Sequence, residues 1–155
     1  MNLIDEEGIL ELSGKDPIQL EEGRSAYVEA IEHIKRMPKA TNMQPLLWSE
    51  LLERAAIDHQ QDLMETGDMG AIGSDGSTYK ERIEKYCRWG GSIFQALDFG
   101  PRQAPVEVVI AWIVDDGNPK RTSRTNMFSV KQRHFAASFG EHIDAENCCI
   151  GIYAA

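Results

Sequence analysis

The sequence contains few cysteines, and their number bears on how the fold is held together. Cys87, Cys148 and Cys149 are the three present among 155 residues. An odd number with two adjacent residues is a poor basis for a disulfide framework. We therefore expect a fold that depends on a packed core, in a reducing compartment.

Long apolar runs and basic clusters are also missing. No stretch approaches the roughly 20 apolar residues of a membrane helix, and acids stand near the start, where a signal peptide carries basic residues. The formal net charge of -9 would repel a phosphate backbone. We therefore expect no nucleic-acid partner, no membrane insertion, and a cytoplasmic or cytoskeletal or ciliary protein that is not secreted.

The length and a hydrophobic fraction of 42% are typical of one soluble domain. Residues 1–22 are acidic and weakly periodic, with Gly8, Gly14 and Pro17 among them. This pattern predicts an N-terminal arm on a domain that spans residues 23–155.

The first half of the chain predicts helices. Ser25 can cap a helix that ends near Met37 and faces the core through Tyr27, Ile31 and Ile34. A second helix, from its cap Ser49 to Gly67, has one side made of Leu52, Ala55, Ala56, His59 and Leu63. Thr78 and Glu81 form a capping box for a short third helix.

Later segments predict one more helix and a strand pair. Pro105 suits the first turn of a helix whose core face consists of Val106, Val109, Ile110 and Ile113, and the β-branched residues of this segment make a strand the alternative. The segments His134–Phe139 and Cys148–Tyr153 read as antiparallel strands, with at most one of the adjacent cysteines facing the core. Helices first and strands last predict an α+β fold.

Three sequence blocks resemble the CAP domain of cysteine-rich secretory proteins, antigen 5 and pathogenesis-related proteins. They are Leu47-Trp48-Ser49 with the following Ala-Ala and Asp-His pairs, MGAIGSDGSTYKERIEKY at 69–86, and VVIAWIVDDG at 108–117 followed by RTSRTNMF at 121–128. The order and spacing of these blocks agree with those of the CAP domain over about residues 25–155. The resemblance implies an α-β-α sandwich with a central antiparallel sheet flanked by helices, and a concave cleft.

In that family the cleft usually holds two histidines and two acids that can bind a divalent metal. The resemblance places Ala71 and Ser123 at the two histidine positions. It places Gln95, in a segment that resembles the family's glycine-glutamate-asparagine loop, at one acid position, and Asp115 at the other. Methyl, amide and hydroxyl groups do not replace imidazole and carboxylate. We therefore expect vestigial cleft positions, with no catalytic residue, cofactor or metal.

Other motifs have a functional and a structural interpretation. Residues 73–77, GSDGS, could be a calcium or phosphate loop, but they lack the further acids or the Lys-Ser pair that such loops need, and a turn before a capped helix is favoured. Asp115 with Asp116 could seat calcium or end a helix, and the helix-ending turn is favoured. His59 is typical of a core histidine.

Two nucleophilic arrangements remain open at this point. Ser123, His134 and Asp115 could form a triad, although no nucleophile elbow marks the serine. The adjacent cysteines could form a redox pair. Neither arrangement is the favoured interpretation.

Together these observations predict a non-catalytic domain that acts as a structural or interaction subunit of a larger intracellular protein assembly, whether cytoskeletal, ciliary or organellar. The expected partners are other protein subunits. The alternative is a domain that binds a small molecule such as a sterol or lipid, and a residual metal-dependent hydrolase is a third possibility.

Overall fold

A computed structural model describes residues 5, 7–10, 17–37, 43–102 and 104–155. In this part of the chain the helices are α1 (Arg24–Arg36), α2 (Glu50–Thr66), α3 (Tyr79–Glu84), α4 (Pro105–Val114) and α5 (Thr122–Met127). The strands are β1 (Ile9–Leu10), β2 (Ile18–Gln19), β3 (Leu47–Trp48), β4 (Ile93–Phe99), β5 (His134–His142) and β6 (Glu146–Ala154). This arrangement confirms the predicted α+β class.

The main sheet has the strand order β3-β5-β6-β4. The predicted antiparallel pair is confirmed as β5 and β6, and β4 adds antiparallel to β6, while the short β3 runs parallel to β5. The segment that contains Gln95, which resembles the family's glycine-glutamate-asparagine loop, is mainly a strand, because β4 spans Ile93–Phe99. β4 pairs with the buried strand β6, and the local sequence does not encode this long-range pairing.

Helices cover both faces of the sheet. Ile150 and Ile152 of β6 lie in a core cluster with α2 and α3, whereas Cys149 and Tyr153 lie in a second cluster with α4. This alternation follows from the period of two in a strand. Because both faces are covered, Cys148 and Cys149 are both buried, and the expectation that at most one faces the core was wrong.

The predicted capping residues of α2 and α3 are confirmed. The Ser49 hydroxyl accepts a hydrogen bond from the Leu52 N–H, and Gly67 ends α2 with a φ of 77°. Thr78 and Glu81 form the reciprocal capping box of α3. The predicted apolar side of α2 is buried throughout.

The predicted start of α1 was wrong. The helix begins after Gly23, which has a φ of 62°, and the Ser25 hydroxyl donates to the Glu22 carbonyl instead of capping. Small residues, Ala26 and Ala30, form the buried side of α1. They lie in one cluster with Val114 at the end of α4, so a close approach between the two helices selects this face.

The predicted core face of α4 was also wrong. Val108 and Trp112 are buried, while Val106, Val109 and Ile110 are between 41% and 60% exposed. The helix is apolar on nearly every side, so periodicity does not select one stripe. Trp112 decides the orientation, because its ring lies against Gly151, where an added Cβ would stand 2.5 Å from the ring.

Candidate functional site

The loop between α2 and α3 contains Ala71, where the resemblance places the first cleft histidine. The Ala71 carbonyl accepts a hydrogen bond of 2.8 Å from Nη2 of Arg82, and the same nitrogen donates to Oε1 of Gln95 at 3.2 Å. Nη1 of Arg82 donates to the Ser77 carbonyl at 2.7 Å. One guanidinium therefore connects two of the four positions that are predicted to be vestigial.

Arg82 is a buried cation that is held by neutral acceptors. The residue is 3% exposed, and no carboxylate of the described residues forms an ion pair with it. Burial lowers the pKa of the guanidinium below its usual range, yet arginine remains charged near neutral pH. Among the residues that the structure describes, its Nε and the Nε2 of Gln95 have no hydrogen-bond partner. The charge here serves to bind backbone carbonyls.

His59 anchors the same loop from α2. It is fully buried, and its Nε2–H donates to the Gly70 carbonyl at 2.9 Å, since a carbonyl only accepts. Burial is the main cause that lowers the pKa of His59 from 6.5, and the charge of Arg82 adds to it. A neutral imidazole in this position fits the predicted core histidine. Asp62, one turn along α2, accepts from the Ser74 N–H and hydroxyl.

The GSDGS segment at 73–77 is a turn that leads into α3. The Gly73 N–H donates to the Ser77 carbonyl and the Gly76 N–H donates to the Gly73 carbonyl, both at 2.8 Å. This internal bonding matches the favoured interpretation of the motif.

Asp115 and Ser123 are the second pair of these predicted positions. Asp115 ends α4 in the left-handed region with a φ of 53°. Its Oδ2 accepts from the N–H groups of Ser123 at 2.8 Å and Arg124 at 3.2 Å, and its Oδ1 accepts from Asn118. Because a carboxylate at a helix N-terminus satisfies free donors there, Asp115 joins the end of α4 to the start of α5.

The two pairs lie in different layers. Gln95 stands opposite Ile152, which faces α2. Asp115 and Ser123 belong to the α4–α5 connection on the other face of the sheet. Within the described ranges no hydrogen bond or ion pair joins the pairs, and no group of three His, Cys, Asp or Glu residues is arranged to hold a metal ion.

The structure does not assemble the conceivable triad. His134, at the start of β5, stands opposite Ala154 on the α2 face of the sheet, and its ring lies edge to face with Trp89 at 5.5 Å. Ser123 is in the α4–α5 layer. The sheet therefore lies between the serine and the histidine.

Sequence reasoning missed the arginines that organise the α4–α5 layer. Arg124 is 2% exposed and donates to the Ile113 and Val114 carbonyls at the end of α4. It also bonds Glu29 of α1 at 3.2 Å. Arg121 bonds Glu29 and Glu22. No local signal in the sequence identifies partners about 95 residues away.

The end of the predicted arm is attached to this layer. The backbone N–H groups of Glu21 and Glu22 donate to the Asp116 carboxylate, and Leu20 is buried. Side-chain hydrogen bonds to Arg121 are the main cause that lowers the pKa of Glu22. Residues 20–22 thus contact the domain directly.

No helix among the described residues has the length and apolar character needed to cross a membrane. An open surface depression of about 520 Å³ is lined by Met64, Glu141, His142, Ile143, Glu146 and Asn147.

The comparisons with known proteins agree with the fold. The sequence model of the cysteine-rich secretory protein family, CAP, matches residues 22–153. No curated protein matches the chain. An outer surface protein of Borrelia burgdorferi is similar in structure at 20% identity, with a TM-score of 0.61, over 83% of this chain and 87% of that one.

Two further solved structures are similar over part of their length. One is an extracellular protein of Bacillus anthracis that contains an SCP domain, at 12% identity and a TM-score of 0.56, over 84% of this chain and 38% of that one. The other is a cysteine-rich secretory protein of Staphylococcus aureus, at 10% identity and a TM-score of 0.52, over 91% and 42% respectively.

These comparisons contradict the predicted location. The similar structures are named as outer-surface, extracellular and secretory proteins, so the expectation of a cytoplasmic, cytoskeletal or ciliary protein that is not secreted is corrected. The fold explains why the cysteine count misled. All three cysteines are free and two of them are buried in the core, so this fold needs no disulfide and a low count does not identify a reducing compartment.

Proposed function

Because the chain belongs to the CAP family of cysteine-rich secretory proteins, we propose that it is a non-catalytic CAP domain that acts as a structural or interaction subunit of a protein assembly. One observation carries the proposal: the groups at the four cleft positions serve the fold. Ala71 and Gln95 accept hydrogen bonds from Arg82, and Asp115 binds the backbone of Ser123.

The Arg82 cluster, which consists of Arg82 and its acceptors Ala71, Ser77 and Gln95, is unsuited to binding a metal ion. A fixed positive charge beside Ala71 and Gln95 repels a divalent cation, and neither a methyl nor an amide group supplies a strong ligand. A general base also needs a group that titrates near the working pH, and His59 is fully buried with its Nε2 engaged by Gly70. This cluster is better suited to holding the 70–77 loop.

Asp115 is similarly engaged. Its carboxylate is buried, with the residue 8% exposed, and its two oxygens accept three hydrogen bonds from the α4–α5 connection. A metal ion would have to displace these bonds, and one carboxylate alone does not hold a transition metal tightly.

The surface of α4 supports an interaction role. Val106 is 60% exposed, and Val109 and Ile110 are 41% and 42% exposed. Their helical spacing is typical of a face that packs against another element. Apolar groups in such a cluster on a surface favour a protein contact.

Binding of a sterol or lipid is the second candidate, and it has less support. Such ligands favour cavities with mostly apolar walls, while the 520 Å³ depression is lined by two glutamates, a histidine and an asparagine beside its two apolar residues. A lipid extract of the native protein tests this candidate, and a stoichiometric sterol or fatty acid in the extract would favour it.

The test of the main proposal combines metal titration with native purification. Calorimetric titration with Zn²⁺ and with Ca²⁺ is expected to give no binding heat. Binding heat in the unmodified chain that is lost in the variant Asp115→Asn would identify Asp115 as a metal ligand. It would overturn the proposal of a non-catalytic domain. Purification from the native source is expected to recover stoichiometric protein partners, and recovery of the free chain alone would count against a role as a subunit.

A further inference from the structure

The outer edge of β5 is only partly covered. Over its whole length β5 pairs with β6 on one side. On the other side β3 pairs with His134 and Phe135 only. Among the described residues no strand lies beside the remaining part of this edge, residues 136–142.

The hydrogen-bonding pattern shows which groups point to the open side. The carbonyls of Arg133 and Phe135 accept from the N–H groups of Leu47 and Ser49, on the β3 side. Because backbone groups alternate along a strand, those of Ala137 and Phe139 point the same way. Within the described part of the chain neither residue has a partner on that side. Such a row of free groups is a template for another strand.

Exposed apolar side chains accompany this edge. Phe139 is 52% exposed and shares a face of the sheet with Phe135, and the ring of Trp48 lies edge to face with Phe135 at 5.9 Å. Trp48 itself is 54% exposed, and Ile143, just after the strand, is 74% exposed. Natural edges are commonly protected by charge, proline or a bulge, whereas the middle of this edge carries a phenylalanine.

We propose that two copies of the chain associate by antiparallel pairing of their β5 edges about a two-fold axis at Phe139. The free segment runs from 136 to 142, so its midpoint is residue 139. Phe139 then faces Phe139 of the second copy, and Ala137 faces Glu141. Each of these pairs exchanges two main-chain hydrogen bonds. The result is one sheet that continues through both copies.

The ends of the free segment fit a second copy. β5 ends at His142, so the second copy leaves the edge before it reaches the place that β3 occupies. Its Ile143 would then lie next to Trp48, which pairs with Phe135 at the end of the free segment, and this contact covers exposed apolar residues at both ends of the interface. The Glu141 carbonyl already accepts from Gln60 at 3.3 Å, and its second lone pair remains free for the strand. A self-complementary patch of this kind closes as a dimer.

This inference stands apart from the proposed function, because the β5 edge includes none of the four cleft positions. Sedimentation equilibrium of the purified chain over a concentration series tests it. The mass is expected to rise from 17.4 kDa to twice that value. Phe139→Lys, which places two like charges opposite each other, is expected to weaken dimerisation at least about tenfold.

The matched control is Val28→Lys, since Val28 is 42% exposed on α1, away from the β5 edge and from the exposed face of α4, and receives the same charge. It is expected to dimerise like the unmodified chain. A monomer at every concentration, or equal dissociation constants for Phe139→Lys and Val28→Lys, would overturn the proposal. Circular dichroism of both variants checks that they fold.

Amide hydrogen exchange distinguishes this edge from other surfaces. In the dimer the Ala137 and Phe139 amides are expected to exchange more slowly than in dilute monomer, and Phe139→Lys is expected to remove the difference. A dimer that forms with no protection at these two amides uses another surface and would refute the proposal.

Discussion

Replacement of Arg82 by methionine tests whether one buried guanidinium holds the loop that carries Ala71. Methionine keeps the length and the apolar stem of the side chain but cannot donate a hydrogen bond. The change removes the bonds to the Ala71 and Ser77 carbonyls, at 2.8 and 2.7 Å, and the weaker bond to Gln95.

The expected magnitude is a balance of two effects. A hydrogen bond from a charged donor contributes about 1.5 to 3 kcal/mol, and two strong ones are lost. Relief from burying a cation without a carboxylate partner offsets part of that loss. We expect the free energy of unfolding to fall by about 2 to 4 kcal/mol, which corresponds to a decrease of roughly 4 to 16 °C in Tm for a domain of this size.

Urea unfolding followed by circular dichroism measures this loss. Lys85→Met is the matched control, because Lys85 lies just after α3 with its side chain 53% exposed, and it is expected to change stability by less than about 0.5 kcal/mol. Arg82→Lys, which cannot reach both carbonyls with a planar fork, is expected to fall between the two. If Arg82→Met lowers the free energy of unfolding by no more than Lys85→Met does, Arg82 is not the residue that holds the loop.

Three further predictions concern the core. Gly151→Ala places a methyl group 2.5 Å from the Trp112 ring and is expected to cost about 1 to 3 kcal/mol in urea unfolding, while Gly90→Ala, in open space, is expected to cost less. The pKa of His59 in the folded protein lies below 6.5, so on acidification the unfolded chain binds a proton that the folded protein does not. The free energy of unfolding is therefore expected to fall as the pH drops through about 6.5. His59→Gln is expected to flatten this dependence between pH 7 and 5 in urea unfolding. The adjacent cysteines of β6 are buried, and burial raises the pKa of Cys149 to about 12. Both are therefore expected to react with Ellman's reagent only after unfolding. Rapid labelling of these two thiols in the native state would contradict their place in the core.

Much of the fold was predictable wherever the determining interactions are local. The Ser49 cap, the Gly67 stop and the Thr78–Glu81 box involve residues within one helical turn, so their residue types carry the information. The β5–β6 hairpin was predictable for the same reason, because a short polar segment separates two apolar runs.

Part of the candidate site was predictable as well. The family match over residues 22–153 agrees with the resemblance of the sequence blocks that contain Ala71 and Ser123, while the assignment of these two residues as vestigial cleft positions stays a prediction. The helix-ending interpretation of Asp115 also follows from its own type and position, and the structure places it in that turn. The location of the protein did not follow, since neither the cysteine count nor the first residues identify the compartment.

By itself, the sequence determined the element types of most segments and the family to which they belong, because capping, turns and periodicity act over a few residues. Only the tertiary structure decided which face of α4 is buried, through the contact of Trp112 with Gly151. It also decided that Arg82 connects Ala71 to Gln95 while Asp115 lies in the opposite layer. These outcomes depend on contacts between segments far apart in the chain, and the sheet that separates the two pairs of cleft positions exists only after folding.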